Sequence, residues 1–343
     1  MAKIFLTGAS GYIGGEALHA IYNSHPEYNI AALVRDVGKA AQITKAYPNV
    51  RTILGDLGDS SLISDEVSKA DIVLNLAATS HLGSAQAIQQ GLTAGSRKSP
   101  GYWLQMSGAT LLSCEEIANK RFGEPSDKVF NDFNGIEDIR QWIKKHPSRA
   151  VDNAVLNASA KTPGIKTALV VGPVIYGPGR GPVNQRSIQT PELAKTIIRR
   201  GKAWQVGKGQ SVWDNVHVQD LGDIFLRLVE RAAKGDDSKP YWNENGIYFT
   251  GTGQLPFSEL SSRVAQAANE QGYIKTQEVD ALSPEEADKL FPHATFLLAT
   301  NARCEALRAR ELLGWSPSQK SLEEEIPETV RSEGTQLVGI PSL

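Results

Sequence analysis

The sequence predicts an α/β protein with a doubly wound parallel sheet and a smaller C-terminal lobe that binds a substrate. Two observations lead to this prediction. Short runs rich in Val, Ile, Leu and Thr alternate with helical segments over the first half of the chain. Such alternation is typical of strands that are buried on both faces and joined by helical crossovers. After residue 173 the regular alternation ends in a loop rich in Gly and Pro at 177–182.

The strand and helix signals follow one another in a regular order. Strands are predicted at 3–8, 29–35, 50–55, 71–77, 101–107 and 167–172, and helices near 13–24, 61–68, 82–95, 113–121 and 135–158. We expect a Rossmann core at 1–175, to which 205–230 and 245–252 return, and a smaller lobe at 176–204 and 253–343. Ligands of such sheets bind at the carboxyl ends of the strands, so the site is expected in the cleft between core and lobe.

The first predicted strand runs into a glycine-rich loop, Thr7-Gly8-Ala9-Ser10-Gly11-Tyr12-Ile13-Gly14. Gly8 permits a tight turn, Gly11 lets the backbone approach phosphates, and Gly14 lets the following helix lie close to the strand. This arrangement places a dinucleotide pyrophosphate at a helix N-terminus. The loop therefore predicts a nicotinamide dinucleotide as cofactor.

The second predicted strand ends at Arg35, which lies 21 residues after Gly14. Rossmann units that bind NAD place an acidic residue at about this point, where it bonds the ribose hydroxyls. A guanidinium instead favours the 2′-phosphate of NADP. Asp36 follows directly, and its carboxylate is a competing partner for the ribose. We expect NADP(H) to be preferred over NAD(H).

The composition excludes several other classes of protein. The chain has 343 residues, 41% of them hydrophobic and 22% charged, with a net charge of −2. These values are typical of a globular protein and give no electrostatic basis for binding nucleic acid or a membrane. Two cysteines, Cys114 and Cys304, and six scattered histidines form no disulfide framework or metal site. We expect no metal and a reduced, cytoplasmic location, with a small molecule as partner and a homodimer kept as an option.

Several ordered motifs resemble those of a known enzyme family. The chain is identified on these residues as similar to the extended or atypical short-chain dehydrogenases/reductases, an NAD(P)-dependent epimerase/dehydratase-like superfamily. The matching segments are 7–14, Gly55-Asp56-Leu57, Asn75-Leu76-Ala77-Ala78, 172–179, 216–220, 312–317 and 322–324. The resemblance implies that the cofactor is bound by Thr7, Gly8, Ser10, Gly11, Tyr12, Ile13, Gly14, Arg35, Asp56, Leu57, Ala77, Ala78, Asn153, Pro173, Val174 and Ile175.

The chain departs from this family at the catalytic pair Tyr-x-x-x-Lys. No Tyr lies between Tyr102 and Tyr176, so the pair is absent from the helix that normally carries it. Arg149 falls at the Tyr position and Asn153 at the Lys position. Arginine cannot exchange a proton at neutral pH, but it can hold a carboxylate or an enolate-like oxygen. Asn153 remains able to bond the ribose.

Four further residues are candidates for the site. Ser107 matches the family's catalytic Ser/Thr, although a strand-end hydroxyl also serves to bond nearby backbone. Tyr176 is the nearest remaining phenol and is a candidate acid or a packed loop aromatic. His81 follows the fourth strand and is a candidate substrate contact or a simple loop residue. Trp213 replaces the Arg that holds the diphosphate of nucleotide sugars in this family, so it either contacts an apolar substrate or packs within the lobe.

Three functions remain open. The first is a reductase or dehydrogenase for a small, partly apolar carbonyl, alcohol, enone or imine compound. The second is an isomerase, lyase or cyclase that keeps the dinucleotide without net redox change. The third is a protein that senses NADP or binds a partner without turnover. Loss of the Tyr-Lys pair favours the latter two, whereas a polar cleft around Ser107 and Arg149 favours an enzyme.

Overall fold

The computed structural model describes residues 1–94, 99–162 and 164–338. The last residue of the predicted helix 82–95, and residues 339–343 of the predicted lobe, lie outside these ranges. Within the described ranges, no helix is long and apolar enough to cross a membrane.

A seven-stranded sheet, parallel throughout, forms the centre of the molecule. Its strands are β1 (Lys3–Thr7), β2 (Asn29–Val34), β3 (Arg51–Leu54), β4 (Ile72–Asn75), β5 (Gly101–Gly108), β7 (Ile165–Gly172) and β11 (Ile247–Phe249). They are arranged in the order β11-β7-β5-β4-β1-β2-β3. This order places β1 beside both β2 and β4, so the switch point of the sheet lies at the end of β1, where Rossmann folds bind ligands. The predicted α/β class and parallel sheet are confirmed.

Helices cover the sheet and extend into the C-terminal part of the chain. A short 3₁₀ turn, Ala109–Leu111, follows β5. The α-helices are α1 (Tyr12–Ser24), α2 (Val37–Ala46), α3 (Ser60–Ser68), α4 (Leu82–Thr93), α5 (Cys114–Ala118), α6 (Ile136–Lys145), α7 (Ala150–Lys161), α8 (Gln189–Arg200), α9 (Val218–Ala233), α10 (Phe257–Glu270), α11 (Pro284–Leu290), α12 (Ala294–Leu298), α13 (Arg308–Leu313) and α14 (Leu322–Val338).

The described residues also form three small sheets. Their strands are β6 (Phe130–Asn131), β8 (Val174–Tyr176), β9 (Ala203–Val206), β10 (Val212–His217), β12 (Gly253–Pro256), β13 (Val279–Leu282) and β14 (Cys304–Glu305). The strand orders are β12-β10-β8, β13-β9 and β14-β6. These sheets pair segments that are distant in sequence, and β10 lies between a parallel and an antiparallel neighbour.

The core lies on both faces of the large sheet, because successive side chains of a strand point to opposite faces. Phe5 and Trp103 belong to one apolar cluster, which continues into the C-terminal part through Trp204 and Trp213. Ile4 and Leu6 belong to a second cluster, on the α1 and α9 side. Burial on both faces explains why the strands read as continuous apolar runs.

The structure differs from the prediction in two helical regions. The predicted helix 135–158 is two helices, α6 and α7, because His146 adopts an extended conformation before Pro147. The residue before a proline is sterically biased away from the helical region. The pattern of apolar residues in the sequence also does not predict α2, because only Ala40 and Ile43 of this helix are buried.

Candidate functional site

The glycine-rich loop makes the close approaches that a dinucleotide cradle requires. Gly8 has φ +86°, and a Cβ there would lie 2.7 Å from the backbone N of Ala77. A Cβ on Gly14 would lie 2.2 Å from the carbonyl oxygen of Gly8. Gly11 caps α1 without any side-chain hydrogen bond, so the helix N-terminus keeps N–H groups for a ligand. The loop therefore fits a pyrophosphate.

A cleft of about 750 Å³ opens over this loop at the carboxyl ends of the strands. Two residues that the sequence did not single out, Asn184 and Ile188, also line it, and Ile188 is 62% exposed. The cleft is lined by the predicted cofactor residues Thr7, Gly8, Ser10, Gly11, Tyr12, Ile13, Gly14, Arg35, Asp56, Leu57, Ala77 and Ala78. Pro173, Val174 and Ile175 are not among its lining residues.

A chain of buried polar groups supports the floor of the cleft across three strands. Thr7 Oγ1 donates to Asn75 Oδ1 at 2.7 Å, and Asn75 Nδ2 donates to Gln105 Oε1 at 2.8 Å. The backbone N of Ala77 donates to Thr7 Oγ1 at 3.3 Å. Because buried polar groups must find partners, this chain fixes the backbone of Ala77 beside the glycine loop.

Two carboxylates at the ribose and adenine end of the cleft are engaged in local structure. Asp36 Oδ1 caps α2 by accepting from the backbone N of Lys39 at 2.8 Å. Asp56 Oδ1 accepts from the backbone N of Gly58 at 2.6 Å. Arg35, by contrast, is exposed at the cleft, and for the described residues the structure records no hydrogen bond or ion pair of its guanidinium.

Ser107 and Arg149 meet at the carboxyl end of β5. Arg149, which directly precedes α7, donates from Nη2 to Ser107 Oγ at 2.9 Å and from Nη1 to Thr110 Oγ1 at 3.3 Å. Its Nε donates to Asp152 Oδ2 at 2.5 Å. Asn75 of β4 pairs with Gln105 of β5, so Ser107 and the cleft residue Ala77 each lie two residues beyond that pair. The cluster is thus adjacent to the cleft, although Ser107 itself is buried.

Tyr176, the last residue of β8, is buried and makes no recorded contact with this cluster among the described residues. Its hydroxyl donates to the carbonyl oxygen of Lys320 at 2.9 Å, and its ring packs edge-on against His217. Burial raises the pKa of Tyr176 far above the usual value for a phenol. These contacts fit the interpretation of Tyr176 as a packed aromatic residue. The hydroxyl proton is used in the bond to Lys320 and does not point at the cleft.

The two predicted substrate residues have different surroundings. His81 lines the cleft and caps α4, with Nδ1 accepting from the backbone N of Ser84 at 3.0 Å. In the neutral ring the proton therefore sits on Nε2. Trp213 is buried, its Nε1 donates to Thr300 Oγ1 at 3.2 Å, and it is not among the lining residues of the cleft.

Asn153 is also separate from the cleft. Its Nδ2 donates to the carbonyl oxygens of Ile143 at 2.9 Å and Arg149 at 3.1 Å. It lines a different surface cavity, of about 630 Å³, beside Lys144. The sequence predicts that the Asn153 amide bonds the ribose, but in the structure this amide links α7 to α6.

Two family models match parts of the chain. Residues 1–94 match the NmrA-like family, and residues 148–243 match the NAD dependent epimerase/dehydratase family. The first match covers the glycine-rich loop at 7–14, and the second covers α7 and the loop rich in Gly and Pro at 177–182.

Two known proteins match the chain to different extents. The oxidase ucsJ of Acremonium sp is 35% identical over 342 residues, covering 98% of both chains. A dTDP-glucose 4,6-dehydratase of Mycobacterium tuberculosis is 22% identical and covers 68% of this chain and 70% of its own.

Solved structures share the fold at low identity. The dTDP-glucose 4,6-dehydratase DesIV of Streptomyces venezuelae, with NAD and TYD bound, has a TM-score of 0.67 at 18% identity and covers 98% of this chain and 97% of its own. A UDP-glucose 4-epimerase of Thermotoga maritima, with UDP-glucose, has a TM-score of 0.64 at 16% identity and covers 98% and 99%. With its glycine cradle and these matches, the chain belongs to the extended short-chain dehydrogenase/reductase family and binds a nicotinamide dinucleotide.

Proposed function

We propose that the protein is an NADP(H)-dependent oxidoreductase that reduces or oxidises a small, partly apolar carbonyl, alcohol, enone or imine compound. The observation that carries the proposal is the Arg149–Ser107 contact beside the cofactor cleft. The nicotinamide supplies or accepts the hydride in such a reaction. The oxidase from Acremonium, the most similar of the relatives described above, supports redox chemistry.

Arg149 and Ser107 are suited to stabilising charge on a substrate oxygen. The Arg149 side chain keeps 15% exposure, whereas Ser107 is buried, so a substrate oxygen meets the guanidinium first. Access of the same oxygen to Ser107 Oγ requires a shift of the Arg149 side chain, which is held by Ser107, Thr110 and Asp152. Removing one hydrogen-bond donor that points at a developing oxyanion raises the activation free energy by about 2.7–4 kcal/mol.

The lining of the cleft supports a small and partly apolar substrate. Exposed Ile188 and the residues Leu76 and Ala78 provide an apolar wall, and His81 adds a polar group. Arg35 is the single Arg or Lys among the described lining residues, and it lies at the ribose end. A diphosphate beyond the nicotinamide would therefore find no cationic partner in this cleft.

The preference for NADP(H) rests on Arg35 and Asp36. Asp36 is engaged as a helix cap, and among the described residues Arg35 has no hydrogen-bond or ion-pair partner to give up when it binds a phosphate. Hydrogen bonds to charged groups contribute about 1.5–3 kcal/mol. R35A should therefore weaken NADPH binding by about 10–100-fold and NADH binding by about twofold or less. K45A, which removes an exposed charge from the end of α2, is the matched control, and equal losses for both cofactors would overturn the preference.

Turnover is tested by following NADPH absorbance with benzaldehyde, a long-chain enal, menadione and phenanthrenequinone. We expect oxidation of NADPH with at least one probe, and a loss of about 100-fold or more in kcat/KM in S107A. NADPH binding should be unchanged in this variant. Tight NADPH binding without consumption in the wild-type protein would overturn the proposal and favour the isomerase, lyase or cyclase function, or the sensor.

A further inference from the structure

A buried carboxylate lies behind the Arg149–Ser107 contact. Asp152, in the first turn of α7, is 1% exposed. Its Oδ2 accepts from Arg149 Nε at 2.5 Å, whereas its Oδ1 is buried and has no hydrogen-bond partner among the described residues. Burying a charged oxygen without a partner is costly, so the neutral acid gains in relative stability. Burial accordingly raises the pKa of Asp152, while Arg149 and the Ser107 hydroxyl oppose the rise.

The hydrogen-bond pattern leaves the Ser107 proton available. A guanidinium only donates, so Ser107 Oγ must accept in its 2.9 Å contact with Arg149. The hydroxyl hydrogen is then free to point at another acceptor. The same guanidinium donates from Nε to Asp152 Oδ2, so Arg149 holds the Ser107 hydroxyl and the Asp152 carboxylate side by side. The hydroxyl also opposes the rise in the pKa of Asp152. Ser107 can thus face Asp152 on one side and a substrate oxygen on the other.

Other proton-exchanging groups near the cluster are poorly suited. The charged and titratable groups that face Asp152 are Arg149 and, from α5, Cys114. Arginine does not deprotonate near neutral pH. Burial raises the pKa of the Cys114 thiol, which donates to the carbonyl oxygen of Thr110 at 3.7 Å. Tyr12 donates its hydroxyl proton to the carbonyl oxygen of Gly177 at 2.5 Å.

We propose that Asp152 is the positioning residue that stores the reaction proton and exchanges it with Ser107, in place of the absent phenol. This inference rests on the proposed oxidoreductase function. In reduction, a hydride supplied by bound NADPH, which becomes NADP⁺, would form the C–H bond at the carbonyl carbon, and the electron pair of the C=O π bond would move to the oxygen. The carbonyl oxygen takes the Ser107 proton, Asp152 as a carboxylic acid returns a proton to Ser107, and a proton taken up from the solvent restores the Asp152 carboxyl group. Oxidation runs the same transfers in reverse.

The first test needs no substrate. The carboxyl stretch of protonated Asp152 is followed by infrared spectroscopy across pH in the full-length protein with NADP⁺, and D152N identifies its band. We expect a midpoint above the ordinary Asp value of about 3.9. S107A should raise that midpoint, because the hydroxyl favours the ionised form. T110V, which removes only a contact to Arg149, should shift it less.

The second test uses turnover of NADPH with the carbonyl probe that the wild-type protein accepts. D152N keeps an oxygen that accepts from Arg149 Nε but cannot exchange a proton. We expect kcat to fall by about 100-fold or more. We also expect loss of the wild-type decline of kcat as pH rises through the pKa of Asp152. D138N, which removes an exposed carboxylate from α6, should retain the wild-type profile.

The outcomes separate the two proposals. Turnover in D152N with the wild-type pH profile would overturn the role of Asp152 and leave the oxidoreductase function standing. A wild-type protein that oxidises NADPH with none of the probes overturns the proposed function instead, and the infrared titration then decides the coupling. An Asp152 midpoint that is unchanged in S107A would overturn the coupling, whatever the turnover of D152N.

Discussion

A buried ion pair ties the loop after β8 to the helix of the cofactor cradle. Glu16 of α1 has 0% exposure, and it accepts from the backbone N of Arg180 at 2.8 Å and from Arg180 Nε at 2.9 Å. R180A would remove the guanidinium and leave the carboxylate with the backbone donor alone. We expect this change to destabilise the fold and, through α1, to weaken dinucleotide binding.

The structure sets the size of the effect. Removing one partner of a buried ion pair costs about 3–5 kcal/mol, because the remaining charge is left uncompensated. The side chain of Arg180 is 41% exposed, so water relieves part of this cost. We therefore expect R180A to lower the free energy of unfolding by about 2–3 kcal/mol. E16Q/R180A should recover part of the loss, because no charge is then buried without a partner.

Urea denaturation of the wild-type protein, R180A, E16Q and the double variant measures these free energies and their coupling. The matched control is R331A, which breaks an Arg–Glu pair with Glu328 whose side chains are 61% and 64% exposed. Exposed pairs of this kind contribute about 0.2–1 kcal/mol. A loss in R180A no larger than that in R331A would refute the reasoning.

Three further predictions concern the cradle, a buried acid and the helix joint. G14A should abolish NADPH binding, measured by fluorescence, because its Cβ would lie 2.2 Å from Gly8 O; retained affinity would contradict this. Burial raises the pKa of Asp132 to about 6, so the folded state holds its proton longer than the unfolded state. The advantage of wild type over D132N in unfolding free energy should therefore shrink by about 3 kcal/mol between about pH 4 and about pH 6, and a constant difference would count against it. N153A should cost about 1 kcal/mol of stability but change NADPH affinity by less than about twofold, and a larger loss would return Asn153 to the cofactor site.

The fold was largely predictable because its signals are local. Continuous apolar strands and the glycine loop depend on neighbours in sequence, and the parallel sheet follows from their alternation. The failures are local too. The helix 135–158 was predicted as one because its apolar positions continue past Pro147, and α2 was missed because it presents few apolar residues to the core.

The candidate site was predictable only in part. The glycine loop, Arg35 and Ala77 line one cleft, and each lies within or next to a strand of the sheet. Asn184 and Ile188 had no signal, because a residue in an irregular loop shows its neighbours only after folding. Trp213 and Tyr176 carry polar tips that suit either a ligand or a core partner, and the partners Thr300 and Lys320 are distant in sequence.

The sequence by itself determined the parallel α/β sheet, the dinucleotide cradle and the family, because these depend on spacing within single strand-loop-helix units. The tertiary structure alone decided which side chains meet at the end of β5. Ser107 and Arg149 are 42 residues apart, and their contact exists only because β5 and α7 pack together. Burial of Asp152 behind them is likewise a product of packing, and burial is what makes a carboxylate able to hold a proton.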